Sequence, residues 1–324
     1  MSIKRANNPT LTVFTPAYNR AHTIHLCYNS LLRQSCKDFK WLIIDDGSTD
    51  NTKKLVESWI KNDNGFEIKY VYKENGGMHT AHNLAYQLID TELNVWIDSD
   101  DYVADEAVKK IIDFWKKNGS NKYAGIIGLD ATFDNKIIGN EFLKDLKTTT
   151  LSGYYFNGGK GDKKLVYRTE VIKKYPEYPV FEGEKYVGLN YKYLLCDQEY
   201  ELLVLNEILC NVEYQVDGSS MNMFKQYLNN PKGFAFLRKV YMKYPTSKKR
   251  LFINCIHYVS SSILSKNKYF IKESPRKILT VIMVPAGFFL TIYIKKKSFS
   301  YMKIGKSRWD NDYTFFDFSC DFID

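Results

Sequence analysis

Apolar and polar positions change their period several times along the first hundred residues. Leu11 to Phe14 is a short apolar run, Thr23 to Leu32 carries apolar residues at helical spacing, and Trp41 to Ile44 is a second apolar run. Residues 51–60 return to helical spacing, 66–72 (FEIKYVY) alternate with period two, 80–89 (TAHNLAYQLI) are again helical, and 94–98 (NVWID) close the series as a strand. Regular exchange of strand and helix predicts an α/β domain built on a mainly parallel sheet. Ligands of such sheets sit beyond the carboxyl ends of the strands. Four segments therefore should meet on one rim: 15–20 (TPAYNR), 45–52 (DDGSTDNT), 73–83 (KENGGMHTAHN) and 98–101 (DSDD).

Past about residue 220 the alternation gives way to helical, basic sequence, and a second apolar run appears at 278–294, closed by Lys295, Lys296 and Lys297. That run is at the short end for a bilayer span and contains Pro285 and Gly287. With Arg276 and Lys277 before it and three lysines after it, the charge pattern fits an interfacial segment on an anionic leaflet, with a buried core helix as the rival reading. Charge divides the chain in the same place. Residues 221–324 hold 19 Lys/Arg against 6 Asp/Glu, a balance of +13, whereas residues 1–220 hold 27 against 31. A basic tail suits an anionic surface or is simply a solvated lysine-rich face.

The 44% hydrophobic and 15% aromatic content excludes a disordered chain, and 324 residues allow one large domain or a domain with an extension. Six cysteines without C-x-x-C spacing point to a reduced setting rather than a disulfide scaffold. The opening residues MSIKRANNPTLTVF lack the apolar stretch of a signal peptide, so a cytoplasmic location is expected.

Each rim segment carries its own chemistry. In DDGSTDNT two carboxylates follow a strand, Gly47 permits a tight turn, and Ser48, Thr49 or Asp50 can cap the next helix; one carboxylate could accept from a donor edge such as the N3–H of uracil. Gly76 and Gly77 allow close backbone approach just before a helix, where His79 and His82 could face a diphosphate. Asp98, Asp100 and Asp101 repel one another unless solvated or neutralised. Oxygen-only donors suit Mg2+ or Mn2+ completed by phosphate oxygens, and such an ion would neutralise charge on a leaving diphosphate. The alternative is an acidic turn capping the helix that follows.

Taken in order, LTVFTPAYNRAHTI, WLIIDDGSTDNT, NGGMHTAHNLA and WIDSDD make residues 10–101 resemble the family-2 glycosyltransferases of the GT-A fold. Residues 102–220 resemble the family loosely and 221–324 hardly at all. The resemblance implies a GT-A domain over 1–220, with a nucleotide-sugar half to about 101 and an acceptor half beyond it. It implies inverting transfer of a sugar from a nucleotide donor, usually UDP-linked, with Mn2+ or Mg2+ as cofactor. Pro16 and Tyr18 would line the nucleotide site and Asp46 or Asp45 would bind uracil. His82, with His79 assisting, stands where the family often has a diphosphate-binding arginine. The D-x-D element is matched by Asp98, Ser99, Asp100 and Asp101, with Asp100 the first choice for the metal and Asp98 and Asp101 next.

Inversion needs one carboxylate as base for the acceptor hydroxyl. Glu184 is the first candidate, with Glu182 and Asp197 as alternatives. Residues 153–168, with Gly158, Gly159 and Arg168, resemble the loop that meets donor sugar and acceptor, and 214–222 resembles a lid over bound substrate. The expected acceptor is a lipid-linked or polymeric glycan, on the inner face of the cell membrane. A nucleotidyltransferase would share the sheet but open with a basic glycine-rich loop, absent after Phe14. A scaffold that binds nucleic acid through the tail would leave the acid-rich rim unexplained, so no nucleic acid partner is expected.

Overall fold

The computed structural model describes residues 9–212 and 223–304. Four strands, β1 (Leu11–Ala17), β2 (Phe39–Asp45), β3 (Glu67–Tyr72) and β4 (Leu93–Trp96), alternate with α1 (Ile24–Arg33), α2 (Thr52–Ile60) and α3 (Met78–Leu88). The chain continues through β5 (Tyr102–Val103), α4 (Ala107–Asn118), β6 (Tyr123–Thr132), β7 (Thr148–Thr149), α5 (Leu151–Phe156), β8 (Lys163–Arg168), α6 (Thr169–Lys174), α7 (Asn190–Cys196) and β9 (Glu201–Val212). It ends in α8 (Met223–Asn229), α9 (Pro231–Lys243), α10 (Lys248–Leu264), α11 (Phe270–Glu273) and α12 (Lys277–Ile304).

All nine strands form one sheet in the order β3-β2-β1-β4-β8-β6-β9-β5, with β7 paired to β9. β1 to β4 are mutually parallel where they pair, so their carboxyl ends share an edge; β8 enters antiparallel between β4 and β6. Helices cover both faces. Val13, Trp41, Ile43 and Val95 pack with Ile24, Leu31, Val56 and Ile112 from α1, α2 and α4, while Phe14 on the opposite face meets Tyr86 of α3. Cover on both sides explains why β1 and β2 read as unbroken apolar runs rather than alternating ones.

The described residues form two compact units: one holds those up to 177 together with 195–212, the other holds 178–194 and 223–304. The expected boundary near 220 thus omits a segment, 178–194, that belongs with the helical unit. Aromatic contacts show why: Tyr186 stacks on Phe234 at 4.8 Å and Tyr191 meets Phe236 edge-on at 4.9 Å. In the helical unit, Tyr227 and Phe234 share a buried cluster with Leu290 and Ile294 of α12. Among the described residues Cys27, Cys36, Cys196, Cys210 and Cys255 are all free thiols.

Candidate nucleotide-sugar site

The rim is assembled by hydrogen bonds between the strand-end loops. Asn19, after β1, takes a left-handed φ of 54°, which asparagine tolerates better than most residues. Its N–H donates to Ser48 Oγ at 2.8 Å and its Oδ1 accepts from the Thr49 N–H at 2.8 Å, tying the loop after β1 to the loop after β2. Asp46 then ties the loop after β2 to the loop after β3. Its Oδ1 accepts from the Gly76 N–H at 2.9 Å, its Oδ2 from the Gly77 N–H at 2.8 Å, and the Lys73 ammonium also donates to it. Gly47 closes the same junction with φ of +86°, and a Cβ there would lie 2.7 Å from the Asn75 nitrogen. The glycine is thus required by both backbone conformation and space.

Asp46 and its alternative Asp45, one of which is the expected uracil partner, are both buried. Asp45 accepts from the Ser48 N–H at 2.7 Å and from the Tyr70 hydroxyl, so its carboxylate holds its own turn. Asp46 orders the Gly76–Gly77 approach to α3. Pro16 is buried in β1 level with Ile44, and Tyr18 projects from the rim with 49% of its surface exposed.

The two histidines do not face a diphosphate from the surface. His82 lies in an aromatic pack, its ring 5.0 Å from Phe14, 5.0 Å from Trp96 and 5.8 Å from Tyr86. His79 is 1% exposed with neither ring nitrogen hydrogen-bonded. Burial depresses its pKa to about 4, against the smaller pull of Asp46. It is neutral at pH 7. Residues 79, 82 and 86 lie on one helical stripe, and that stripe is the buried side of α3.

The acidic loop splits into different roles. Asp98 and Asp100 are half-buried, and the Trp96 indole N–H donates to Asp98 Oδ1 at 3.2 Å. Asp98 is pushed up to about 6, chiefly by burial and then by repulsion from Asp100, while Lys164, the Trp96 N–H and Arg20 pull the other way. Asp101, expected as a metal donor, turns inward instead: it is 4% exposed, its Oδ2 lies 3.8 Å from the Cys210 thiol, and burial with the nearby Asp98 raises its pKa well above the ordinary value. Ser99 is buried.

Beneath this loop stands a pair that the motifs did not announce. Lys164 of β8 is 3.8 Å from Asp130 of β6, both buried. Because β8 runs antiparallel to β4, with Val166 opposite Val95, its first residues lie at the rim end of the sheet. Asp130 first, then Cys210, Asp101 and Asp98, hold the Lys164 ammonium well above its ordinary pKa despite burial. Arg20, also missed, acts on Asp98 from the loop after β1.

The same topology removes Arg168 from the site. It pairs with Leu93 at the start of β4, at the opposite end of the sheet, where its guanidinium donates to the carbonyls of Asn121 and Tyr123 and pairs with Glu170. Gly158 and Gly159 form the turn after α5, on the rim side of β8; Gly159 lies under the Tyr154 ring, where a Cβ would come within 2.4 Å. Asp197 caps α5, accepting from the N–H groups of Leu151 at 3.1 Å and Ser152 at 2.7 Å and from the Ser152 hydroxyl. Those bonds occupy both oxygens of the carboxylate. Glu182 and Glu184 lie in the helical unit, where Glu182 is exposed and Glu184 accepts from the Lys232 and Gly233 N–H groups at 2.9 and 2.8 Å, at the start of α9. The expected lid, 214–222, lies outside the described residues.

Among the described residues no three His, Cys, Asp or Glu side chains gather into a metal-holding group. Two half-buried carboxylates that repel each other, Asp98 and Asp100, nevertheless fit a hard divalent ion if phosphate oxygens or water fill its other positions.

A mainly parallel, helix-covered sheet whose strand-end loops gather carboxylates in this order is a GT-A fold. The chain belongs to glycosyl transferase family 2, whose model matches residues 12–174, half of the sequence. Chondroitin synthase of Pasteurella multocida is 29% identical over 153 residues, 46% of this chain but 16% of that protein. The teichoic acid poly(glycerol phosphate) polymerase of Staphylococcus epidermidis is 35% identical over 99 residues, 30% of this chain and 14% of that one. The chain therefore matches only a small part of these relatives' lengths. Among solved structures, residues 1–349 of S. aureus TarS with UDP-GlcNAc align with a TM-score of 0.59 at 17% identity, covering 93% of this chain and 94% of that one. The mannosyltransferase PcManGT of Pyrobaculum calidifontis with GDP-Man and Mn2+ aligns with a TM-score of 0.54 at 13% identity, covering 90% and 89%.

Proposed function

We propose that the protein is an inverting glycosyltransferase that moves a sugar from a UDP-linked donor to a hydroxyl of a lipid-linked or polymeric surface glycan, at the cytoplasmic face of the membrane. The observation that carries this reading is the convergence of the Asp46-anchored glycine loop and the Asp98–Asp100 pair at one end of a family-2 sheet. UDP-GlcNAc in the TarS structure and GDP-Man with Mn2+ in PcManGT support a nucleotide-sugar donor and a divalent ion.

In this mechanism Asp100 and Asp98 would hold Mn2+ or Mg2+, which would act as a Lewis acid on the departing diphosphate. Tyr18 would offer its exposed ring to the nucleotide, and Asp46 would keep the Gly76–Gly77 backbone ordered before a donor arrives. Lys164 keeps the acidic loop from carrying its full negative charge into a site that must receive a diphosphate. A carboxylate base would take the acceptor hydroxyl proton on the face opposite the leaving group. Glu184 is the first candidate, with Glu182 and Asp197 as alternatives; Glu184 and Asp197 each also accept N–H bonds at a helix start.

The test is incubation of the purified chain with a panel of nucleotide sugars, with Mn2+ and with EDTA, followed by identification of the nucleotide released. Metal-dependent release of UDP from one donor is the expected result. Release of pyrophosphate would replace the reading by nucleotidyl transfer. Absence of release together with absence of metal-dependent UDP binding would overturn it.

A further inference from the structure

Donor chemistry makes no use of α12, which sorts its residues onto two opposite faces. Gly287, Leu290, Thr291 and Ile294 are buried. A Cβ at Gly287 would lie 2.4 Å from Val259 of α10, and the Thr291 hydroxyl donates to Ser260 Oγ at 3.0 Å. On the other side Ile278, Val281, Ile282, Phe288, Phe289 and Ile292 are between 37% and 80% exposed. At 3.6 residues per turn these six fall within an arc of about 120° and along about 21 Å of axis. That is a contiguous apolar stripe, not the scattered apolar surface usual for a soluble face. Exposed basic residues close it at both ends, Arg276 and Lys277 before it and Lys295 and Lys296 after it.

We propose that α12 docks in the plane of an anionic lipid bilayer, its apolar stripe sunk to the acyl boundary and its terminal basic residues at headgroup phosphates. Amphipathic helices with basic ends bind interfaces by apolar burial and attraction to anionic lipid together. The segment Lys277–Ser298, with a mean hydropathy of 1.9, is long and apolar enough to cross a membrane. Its packed face argues against crossing. Contact with Val259 and Ser260 of α10 gives that face to protein rather than to lipid. Charge also discriminates against a second copy of the chain. Both ends of the stripe are basic, so a partner laid parallel or antiparallel would oppose like charges, whereas lipid phosphates complement them.

The experiment is flotation of the full chain with phosphatidylcholine vesicles, with and without phosphatidylglycerol, for the wild type, Phe288→Ser/Phe289→Ser and Lys295→Glu/Lys296→Glu. No nucleotide sugar is present, so the result is independent of the donor reading. We expect preferential flotation with anionic vesicles and a loss of roughly tenfold or more in vesicle affinity for the phenylalanine variant, whose removed side chains are ones that docking would bury. The lysine variant should lose the preference for phosphatidylglycerol. Melting curves should be unchanged, since these side chains are exposed. Equal flotation of wild type and the phenylalanine variant, or no flotation of either, would overturn the proposal. So would retention of the membrane-bound protein through alkaline carbonate washing, which indicates a span, or a wild-type dimer by light scattering that the phenylalanine variant dissolves.

Discussion

Lys164 Nζ stands 3.8 Å from Asp130 Oδ2 inside the sheet, and the same ammonium lies 5.9 Å from the ring of Trp96, whose indole N–H holds Asp98. One cation thus supports both a buried carboxylate and the residue that positions an acid of the rim. Asp130 is still pushed up to about 6, because burial outweighs the attraction of Lys164.

Replacing Lys164 by methionine should destabilise the protein by roughly 3–5 kcal/mol at pH 8, the usual consequence of leaving a buried charge unpaired. The sign with pH follows from Asp130. A carboxyl whose folded pKa exceeds its unfolded value holds its proton more tightly when folded, so stability falls as pH rises from about 4 to about 6. The variant should therefore recover part of its deficit below pH 6, and Lys164→Arg should restore part of it at pH 8. Thermal melts across pH 4 to pH 8 would show this, and a deficit independent of pH would rule out the charge argument.

Asp46→Asn removes the negative charge and one of the two oxygens that accept from the Gly76 and Gly77 N–H groups and Lys73. Charge-assisted bonds of this kind contribute about 1.5–3 kcal/mol each, less when an amide oxygen replaces one. The expected outcome is faster hydrogen exchange at the start of α3 and a raised donor KM, with kcat less affected. Unchanged exchange at Gly76 and Gly77 would mean that the loop orders itself.

Asp100→Asn should reduce metal-dependent turnover on the order of 100-fold or more, in line with the several kcal/mol that a Lewis acid contributes. The side chain is half-exposed, so stability should be close to that of the wild type. Turnover at saturating donor and Mn2+ is the measurement. Near-normal activity would remove the metal from this position.

Glu184→Ala should lower stability by about 1 kcal/mol, as loss of an N-terminal helix cap does. Glu184→Gln keeps an acceptor oxygen and should melt closer to the wild type. Turnover of the glutamine variant then separates the roles: a loss of about 100-fold or more at retained stability marks the base, and retained turnover leaves capping as its role and moves attention to Glu182 and Asp197.

The first four strands and three helices are readable in the sequence because each is a local pattern, an apolar run or a helical stripe, that coincides with one layer of the fold. Beyond residue 101 that coincidence ends. β5 and β7 have two residues each, too few for any period, and β9 is defined by partners far away in the chain, among them Tyr102, Ile126 and Thr148. Loop composition identified the rim, but composition carries no direction. Asp100 and Asp101 are neighbours in a turn, and only tertiary packing turns one inward. The histidines were more legible than they seemed, since 79, 82 and 86 fall on the stripe of α3 that must be buried. Lys164 could not be found in this way: its partners come from other strands and no motif marks it.

α12 also decides how the protein can be handled. Its inner residues Leu290 and Ile294 complete the cluster of Tyr227 and Phe234, and Gly287 lets it lie close against Val259. Trimming the chain before Lys277 to obtain a better-behaved preparation would therefore strip a wall from the helical unit and uncover fresh apolar surface. A soluble form is better sought by repainting the outer stripe, with polar residues at Phe288 and Phe289, while every inward-facing position is kept.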